Sequence, residues 1–161
     1  GAGRRLLPRA AKAAAVWVDG ATTGHVPLQV ARMRRDTSDL VWSVGGNDAL
    51  MNSSILYAPA SSMSQAVGEL AEISQRFEER YRKVVEGCRE LRLPLTICTI
   101  YNGSFPDPEF QRLVSTALMV FNDGILGVAV ALRLTVIDLR FGCRSPAAAA
   151  NPIGPSPRAR Q

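Results

Sequence analysis

Three short apolar segments alternate with two long amphipathic segments, and this alternation is the strongest constraint on the fold. Segments 40–45, 95–101 and 134–139 are apolar or β-branched on both faces, which is typical of strands buried in a parallel sheet. Segments 61–91 and 109–131 repeat apolar residues at three-and-four spacing, which predicts amphipathic helices. Strands that alternate with helices form βα repeats, so the sequence predicts an α/β fold with a parallel sheet.

Two further elements are predicted nearer the start of the chain. Residues 13–19 are apolar enough to form another strand, and residues 26–33 form a short helix with Pro27 in its first turn, where proline is tolerated. The 161 residues, of which 47% are hydrophobic, suffice for one domain with a core. This composition excludes an intrinsically disordered chain.

Charge and cysteine usage narrow the classes of partner. The formal net charge is +5, but the arginine excess lies at the two ends of the chain and aromatic residues are few, so nucleic-acid binding is not indicated. The apolar run 13–18 is too short to span a bilayer, so no membrane partner is expected. Three widely spaced cysteines indicate neither a zinc site nor a disulfide framework, and they favour a reducing, cytoplasmic compartment.

The candidate chemistry follows the strand that begins at Leu40. This strand ends in the turn Gly45-Gly46-Asn47-Asp48, where an α/β sheet places its ligands, at the carboxyl end of a strand. The glycines allow a positive φ or a close approach of the backbone to a ligand. The Asn47 amide can donate to developing negative charge, and Asp48 can accept backbone N–H groups and hold the turn. An ordinary strand-to-loop turn without chemistry is the alternative.

These residues resemble the sequence blocks of the SGNH (GDSL-type) hydrolases. The third block of that family reads Gly-x-Asn-Asp and is matched within residues 44–50, the second block resembles residues 18–23, and the last strand and the fifth-block loop resemble residues 136–140 and 150–156. The resemblance implies a three-layer α/β/α flavodoxin-like fold with a parallel sheet. The first block, Gly-Asp-Ser with the nucleophile, does not occur in the sequence, and the final helix of the family is not matched either.

The domain organisation follows from this match. Residues 1–145 are expected to form a truncated SGNH hydrolase-like domain, incomplete at both ends, and residues 146–161 a Pro/Ala/Arg-rich tail that is disordered. Asn151 and Gly154 stand where the fifth block has its Asp and His. The chain is therefore expected to be a fragment of a longer protein or a degenerate copy.

The activity implied by the resemblance is hydrolysis of a small-molecule ester through a serine acyl-enzyme, without cofactor or metal. By motif, Gly20 would donate its backbone N–H and Asn47 its side-chain amide to the oxyanion. Because no nucleophile block is found, the chain is expected to be inactive by the serine route. An inactive fragment, or a small-molecule or phosphate-binding module built on the Gly20 and Gly46 loops, is the alternative.

Two more polar features have two interpretations each. His25 is the only histidine and is either a general base or a surface or capping residue, and its position is not that of the catalytic histidine in the resembling family. Asp138 either pairs with Arg140 or shapes the rim of the site. The structural interpretation is preferred in both cases.

Overall fold

A computed structural model of the protein describes residues 20–142. The described elements are α1 (Val26–Ala31), β1 (Leu40–Trp42), α2 (Gly46–Met51), α3 (Met63–Arg89), β2 (Leu95–Cys98), α4 (Pro108–Leu132), β3 (Thr135–Ile137) and α5 (Leu139–Gly142), with short 3₁₀ helices at Thr23–His25 and Ser53–Tyr57. The predicted strand 13–19, the match at 150–156 and the tail 146–161 lie outside the described residues.

The three described strands form one parallel sheet in the order β1-β2-β3. Trp42 pairs with Ile97, which in turn pairs with Val136. The predicted α/β class with a parallel sheet is confirmed. Each strand follows a helix or loop that returns the chain to the same end of the sheet, so the carboxyl ends of all three strands lie at one edge.

The core lies between one face of the sheet and the two long helices. Phe77 of α3 stands at its centre, with its ring centroid 5.5 Å from that of Tyr81 and 5.0 Å from that of Phe121 of α4. Trp42 of β1 stacks on Tyr81 at 5.3 Å. These rings are almost fully buried, and such aromatic packing supplies much of the burial that holds a domain together.

On the opposite face of the sheet the outer strands β1 and β3 are exposed within residues 20–142, whereas Cys98 of the central strand β2 is buried. Val41 of β1 and Ile137 of β3 are 68% and 44% exposed, and Thr135 is exposed as well. Trp42, Ile97 and Val136 point the other way, into the helical layer. The two long helices therefore pack on the face of the sheet that carries Trp42, Ile97 and Val136.

Both long helices begin at a capping side chain. The Ser62 hydroxyl accepts the Gln65 N–H at 3.1 Å, and the Asp107 carboxyl accepts the Glu109 N–H at 2.9 Å. Pro108 occupies the first helical position after the Asp107 cap, where its missing N–H costs no helical hydrogen bond. Caps at these positions set where each helix starts and hence where its apolar stripe meets the sheet.

Helix α4 is the more apolar of the two long helices. It is long and apolar enough to cross a membrane by length and composition, a test that core helices also pass. At its middle lies Asn122, which is 1% exposed. The Asn122 amide accepts the Ile100 N–H at 2.7 Å and donates to the Ile100 carbonyl at 3.1 Å. This pair of bonds satisfies the backbone N–H and carbonyl of Ile100, just beyond the end of β2.

Candidate functional site

Two loops meet at the carboxyl edge of the sheet and line a common cavity of about 550 Å³. One loop contains Gly20 and Ala21, and the other is the turn from Gly45 to Asp48, which leads into α2. The structure therefore brings Gly20 and Asn47, the two candidate oxyanion donors, to one cavity. Volumes of 300–1,000 Å³ are usual for small-molecule sites.

A buried carboxyl group joins the two loops. The Asp48 Oδ2 atom accepts the backbone N–H of Thr23 at 2.8 Å and the Thr23 hydroxyl at 2.9 Å. Asp48 is 6% exposed and Thr23 is 1% exposed. The sequence predicted that Asp48 holds its own turn, whereas its carboxyl group reaches across to the other loop. The two residues are 25 positions apart in the sequence, so no local sequence pattern could predict this contact.

Asn47 makes a second link between the loops. Its Nδ2 atom donates to the Ala21 carbonyl at 2.8 Å. A side-chain amide has two N–H groups, so this bond orients the amide plane and leaves one donor for a ligand in the cavity. The fixed orientation is what an oxyanion donor requires, because such a donor must be aimed before charge develops.

The first glycine of the turn is required by both backbone and space. Gly45 has a φ of +115°, which side-chain-bearing residues rarely adopt, and a Cβ atom there would lie 3.2 Å from the Phe77 ring and 3.3 Å from Ile100. Gly46 has no such constraint, since a Cβ atom there would lie 3.9 Å from Ile100. Gly20 also has a positive φ, +72°, with open space around it. Thus Gly45 packs the turn onto the core, and Gly20 bends the chain at the cavity edge.

Away from these loops the cavity is lined by apolar side chains. The 3₁₀ helix after α2 contributes Ile55 and Leu56, α3 contributes Leu70 and Ile73, and α4 contributes Phe110, Val114, Ala117, Leu118 and Phe121. Three aromatic rings from three segments pack near its rim. Phe110 meets Phe105 edge-on at 5.0 Å and stacks with Tyr57 at 6.3 Å.

His25 is the last residue of the 3₁₀ helix Thr23–His25, and its side chain caps the start of that helix. Its Nδ1 atom accepts the Thr22 N–H at 3.1 Å and lies 3.0 Å from the Thr22 hydroxyl oxygen. The side chain is exposed and does not line the cavity. The preferred interpretation of His25 as a surface capping residue is confirmed.

Two serines line the same cavity, Ser43 beyond β1 and Ser53 after α2. The bonds of the His25 ring go to Thr22, so within residues 20–142 neither serine has a histidine as base. The described residues also contain no group of three or more His, Cys, Asp or Glu side chains placed to hold a metal ion.

Asp138 pairs with Arg140, as the preferred interpretation has it. The Asp138 Oδ1 atom accepts the Arg140 Nε–H at 2.8 Å and the Thr99 hydroxyl at 2.9 Å, and its other oxygen accepts from the second guanidinium nitrogen. The hydrogen bond from the Arg140 guanidinium holds the pKa of Asp138 well below its ordinary value. Burial is the next largest effect and opposes it, and the Thr99 hydroxyl adds a smaller lowering of the pKa. The pair ties the end of β3 to the residue after β2.

This pairing predicts a pH dependence of stability. A carboxyl group with a lowered folded-state pKa contributes stability above its unfolded-state pKa, about 3.9, and loses that contribution as the pH falls below it. We expect Asp138→Asn to lower the free energy of unfolding at pH 7. The difference from the unmodified chain should shrink progressively as the pH falls below about 4 and on through the lower folded-state pKa. Urea unfolding at a series of pH values measures the difference. A difference that stays constant down to pH 2 would contradict the assignment.

Comparisons with known proteins support the fold. No family model matches the sequence, and no curated protein matches it. Among solved structures, a phospholipase A1 from Streptomyces albidoflavus NA297 is similar with a TM-score of 0.56 and 15% identity over 80% of this chain and 62% of that one. An extracellular lipase from Streptomyces rimosus is similar with a TM-score of 0.52 and 18% identity over 74% of this chain and 57% of that one.

The chain spans less than two thirds of the length of either of these structures. At such identities the likeness shows the fold alone. The chain has an SGNH hydrolase-like α/β fold, which confirms the resemblance found in the sequence at the level of the fold.

Proposed function

We propose that this chain is the oxyanion-binding part of an SGNH-type ester hydrolase. The observation that carries the proposal is the convergence of Gly20 and Asn47 on one cavity, with the Asn47 amide oriented by its bond to the Ala21 carbonyl. The two similar structures described above support it, because one is named as a lipase and the other as a phospholipase A1. The substrate is then a small-molecule ester.

The proposed chemistry uses the two donors at the moment when charge develops. Attack on an ester carbonyl places negative charge on its oxygen, and the Gly20 N–H and the remaining Asn47 N–H stabilise that charge. The Asp48–Thr23 bonds keep the two loops at a constant separation, so the donors need no rearrangement during the reaction. The attacking serine and its base come from residues outside this constellation.

This chain by itself is expected to show no serine-type ester hydrolysis. Its sequence contains no Gly-Asp-Ser block, and His25 is committed to Thr22. We expect the folded chain to hydrolyse a short-chain aryl ester no faster than buffer alone, or than a carrier protein without esterase activity.

The same assay tests the proposal more widely. Turnover by the chain that a serine-directed phosphonate abolishes would contradict it and point to Ser43 or Ser53, which line the cavity. Conversely, the protein encoded by the reading frame that includes this chain should hydrolyse the ester if it carries a Gly-Asp-Ser block. If that protein carries the block and is well folded but does not hydrolyse the ester, the proposed function is wrong.

A further inference from the structure

The loop between β2 and α4 contains the dipeptide Asn102-Gly103, which is the only Asn-Gly pair in the chain. Asn102 is exposed and belongs to no helix or strand. Within residues 20–142, neither the Asn102 side chain nor the Gly103 N–H takes part in a hydrogen bond. The loop is next anchored at Phe105, whose N–H donates to the Gln111 side chain at 2.9 Å. The Asn102 amide and the Gly103 nitrogen are therefore free to approach each other.

The other three asparagines of the described residues are held in place. Asn47 and Asn122 belong to α2 and α4, and Asn52 directly follows α2. Each of their side chains makes at least one hydrogen bond of 2.7 or 2.8 Å. They are followed by aspartate or serine, and not by glycine. Asn102 is thus the one described asparagine that combines an unbonded side chain with a following glycine.

We propose that Asn102 is a site of spontaneous conversion to aspartate and isoaspartate. The Gly103 nitrogen, after losing its proton to hydroxide, attacks the carbonyl carbon of the Asn102 side chain. A nitrogen–carbon bond forms, the bond from that carbon to Nδ2 breaks, and the amide nitrogen takes up a proton from water and leaves as ammonia. Water then opens the cyclic imide at either of its carbonyl groups, which gives aspartate or isoaspartate. The reaction needs water alone, without an enzyme, an oxidant or a reductant.

The structure explains why glycine stands at position 103. A Cβ atom there would lie 3.1 Å from the Phe105 ring, which is closer than ordinary van der Waals contact. The packing of Phe105 therefore favours glycine. Glycine in turn favours the attack on Asn102, because it has no Cβ atom to shield the nitrogen. The same residue that lets the loop pack thus makes Asn102 labile.

The modification alters the border of the cavity. Tyr101, Gly103 and Phe105 line the cavity, and Asn102 lies between the first two of them. Aspartate at this position adds a negative charge beside these residues, and isoaspartate also lengthens the main chain by one carbon atom. Negative charge near the cavity disfavours the binding of anions there. The reaction therefore gives the protein an acidic residue beside the cavity that its sequence does not encode.

Peptide mapping by mass spectrometry tests the proposal on the chain itself. The folded chain is incubated at neutral and at mildly alkaline pH, and conversion is followed at each asparagine, with aspartyl and isoaspartyl peptides separated by chromatography. We expect Asn102 to convert at least about tenfold faster than Asn47, Asn52 or Asn122, because these three must first open locally at a cost of about 1.4 kcal/mol or more. The rate at Asn102 should rise with pH, since the attacking nitrogen must lose its proton.

Variants identify the reacting atoms. Asn102→Gln keeps a side-chain amide but would have to close a larger ring, so conversion at this position should be lost. Gly103→Ala shields the attacking nitrogen and should slow conversion severalfold, with Tm as the check that the chain folds around the added methyl group. Ser104→Ala is the matched control, because it changes an exposed neighbour and leaves the Asn-Gly pair intact. It should convert at the rate of the unmodified chain.

Three outcomes would overturn the proposal. One is conversion at Asn102 that is no faster than at Asn47, Asn52 or Asn122 in the folded chain. Another is a rate at Asn102 that is more than about tenfold lower in the folded chain than in urea, because the folded loop would then keep the two groups apart. The third is an unchanged rate in folded Gly103→Ala protein. None of these results bears on ester hydrolysis, so the proposed function stands or falls separately.

Discussion

In an ester-hydrolysing protein that contains this chain, Asn47→Ala is expected to lower kcat by about 10²–10³, with little change in KM. A donor aimed at the oxyanion acts mainly when charge develops, so its loss is felt in the transition state more than in binding. The Asn47 amide is already oriented by its 2.8 Å bond to the Ala21 carbonyl, which argues for such a role. Steady-state kinetics on a soluble ester, together with Tm, measures the effect.

Asn52→Ala is the matched control for this prediction. The Asn52 amide also makes a 2.8 Å bond to a backbone carbonyl, that of Asp48, from the same segment of the chain. Both variants therefore lose one structural hydrogen bond and should lose similar amounts of Tm. Only Asn47→Ala should lose kcat. If the folded Asn47→Ala protein keeps a near-normal kcat, Asn47 has only a structural role in the turn. The proposed function would then lose its main support.

Asp48→Ala is expected to have the largest effect on stability. Its carboxyl group satisfies two donors of Thr23 in a buried place, and each buried donor left without a partner costs about 1–3 kcal/mol. We expect the free energy of unfolding to fall by about 2–5 kcal/mol, and Tm by about 5–20 °C for a domain of this size. Activity should fall with the folded fraction, and Asp48→Asn, which keeps an acceptor oxygen, should lose much less.

Thr23→Val tests the partner directly. It removes the hydroxyl donor and keeps the backbone N–H, so in the unmodified chain it should cost a modest part of the Asp48→Ala loss. In the Asp48→Ala background the same substitution should cost little, because the hydroxyl there has already lost its acceptor. Equal costs of Thr23→Val in both backgrounds would mean that the two side chains are not coupled.

The elements of the fold were predictable because their signals are local. The three-and-four repeat of apolar residues placed α3 and α4, and the caps Ser62 and Asp107 fall within a residue or two of the predicted helix starts. The predicted strand 95–101 is longer than β2, which ends at Cys98. The difference arises because Ile100 bonds to the Asn122 side chain, a contact between residues 22 positions apart.

The candidate site was predictable in its residue types and not in its connections. The Gly-Gly-Asn-Asp pattern identified the turn, but it treated Gly45 and Gly46 alike, although only Gly45 packs against Phe77 and Ile100. The apolar cavity could not be predicted at all. Tyr57, Phe105 and Phe110 come from three separate segments and pack together near its rim. A local sequence pattern cannot predict contacts between such segments.

Asn122 has a consequence for how uniquely the domain folds. Helix α4 is apolar on much of its circumference, with Leu113, Met119 and Val130 exposed on its outer side. Burial of apolar area alone would therefore distinguish poorly between several rotations of this helix about its axis. A rotation other than the native one would break both bonds to Ile100. It would leave the Ile100 backbone unpaired and, wherever Asn122 stayed in the core, its amide without a partner as well. The Asn122 amide thus favours one rotation of α4 about its axis over the alternatives. It thereby also determines which side chains of α4 line the cavity.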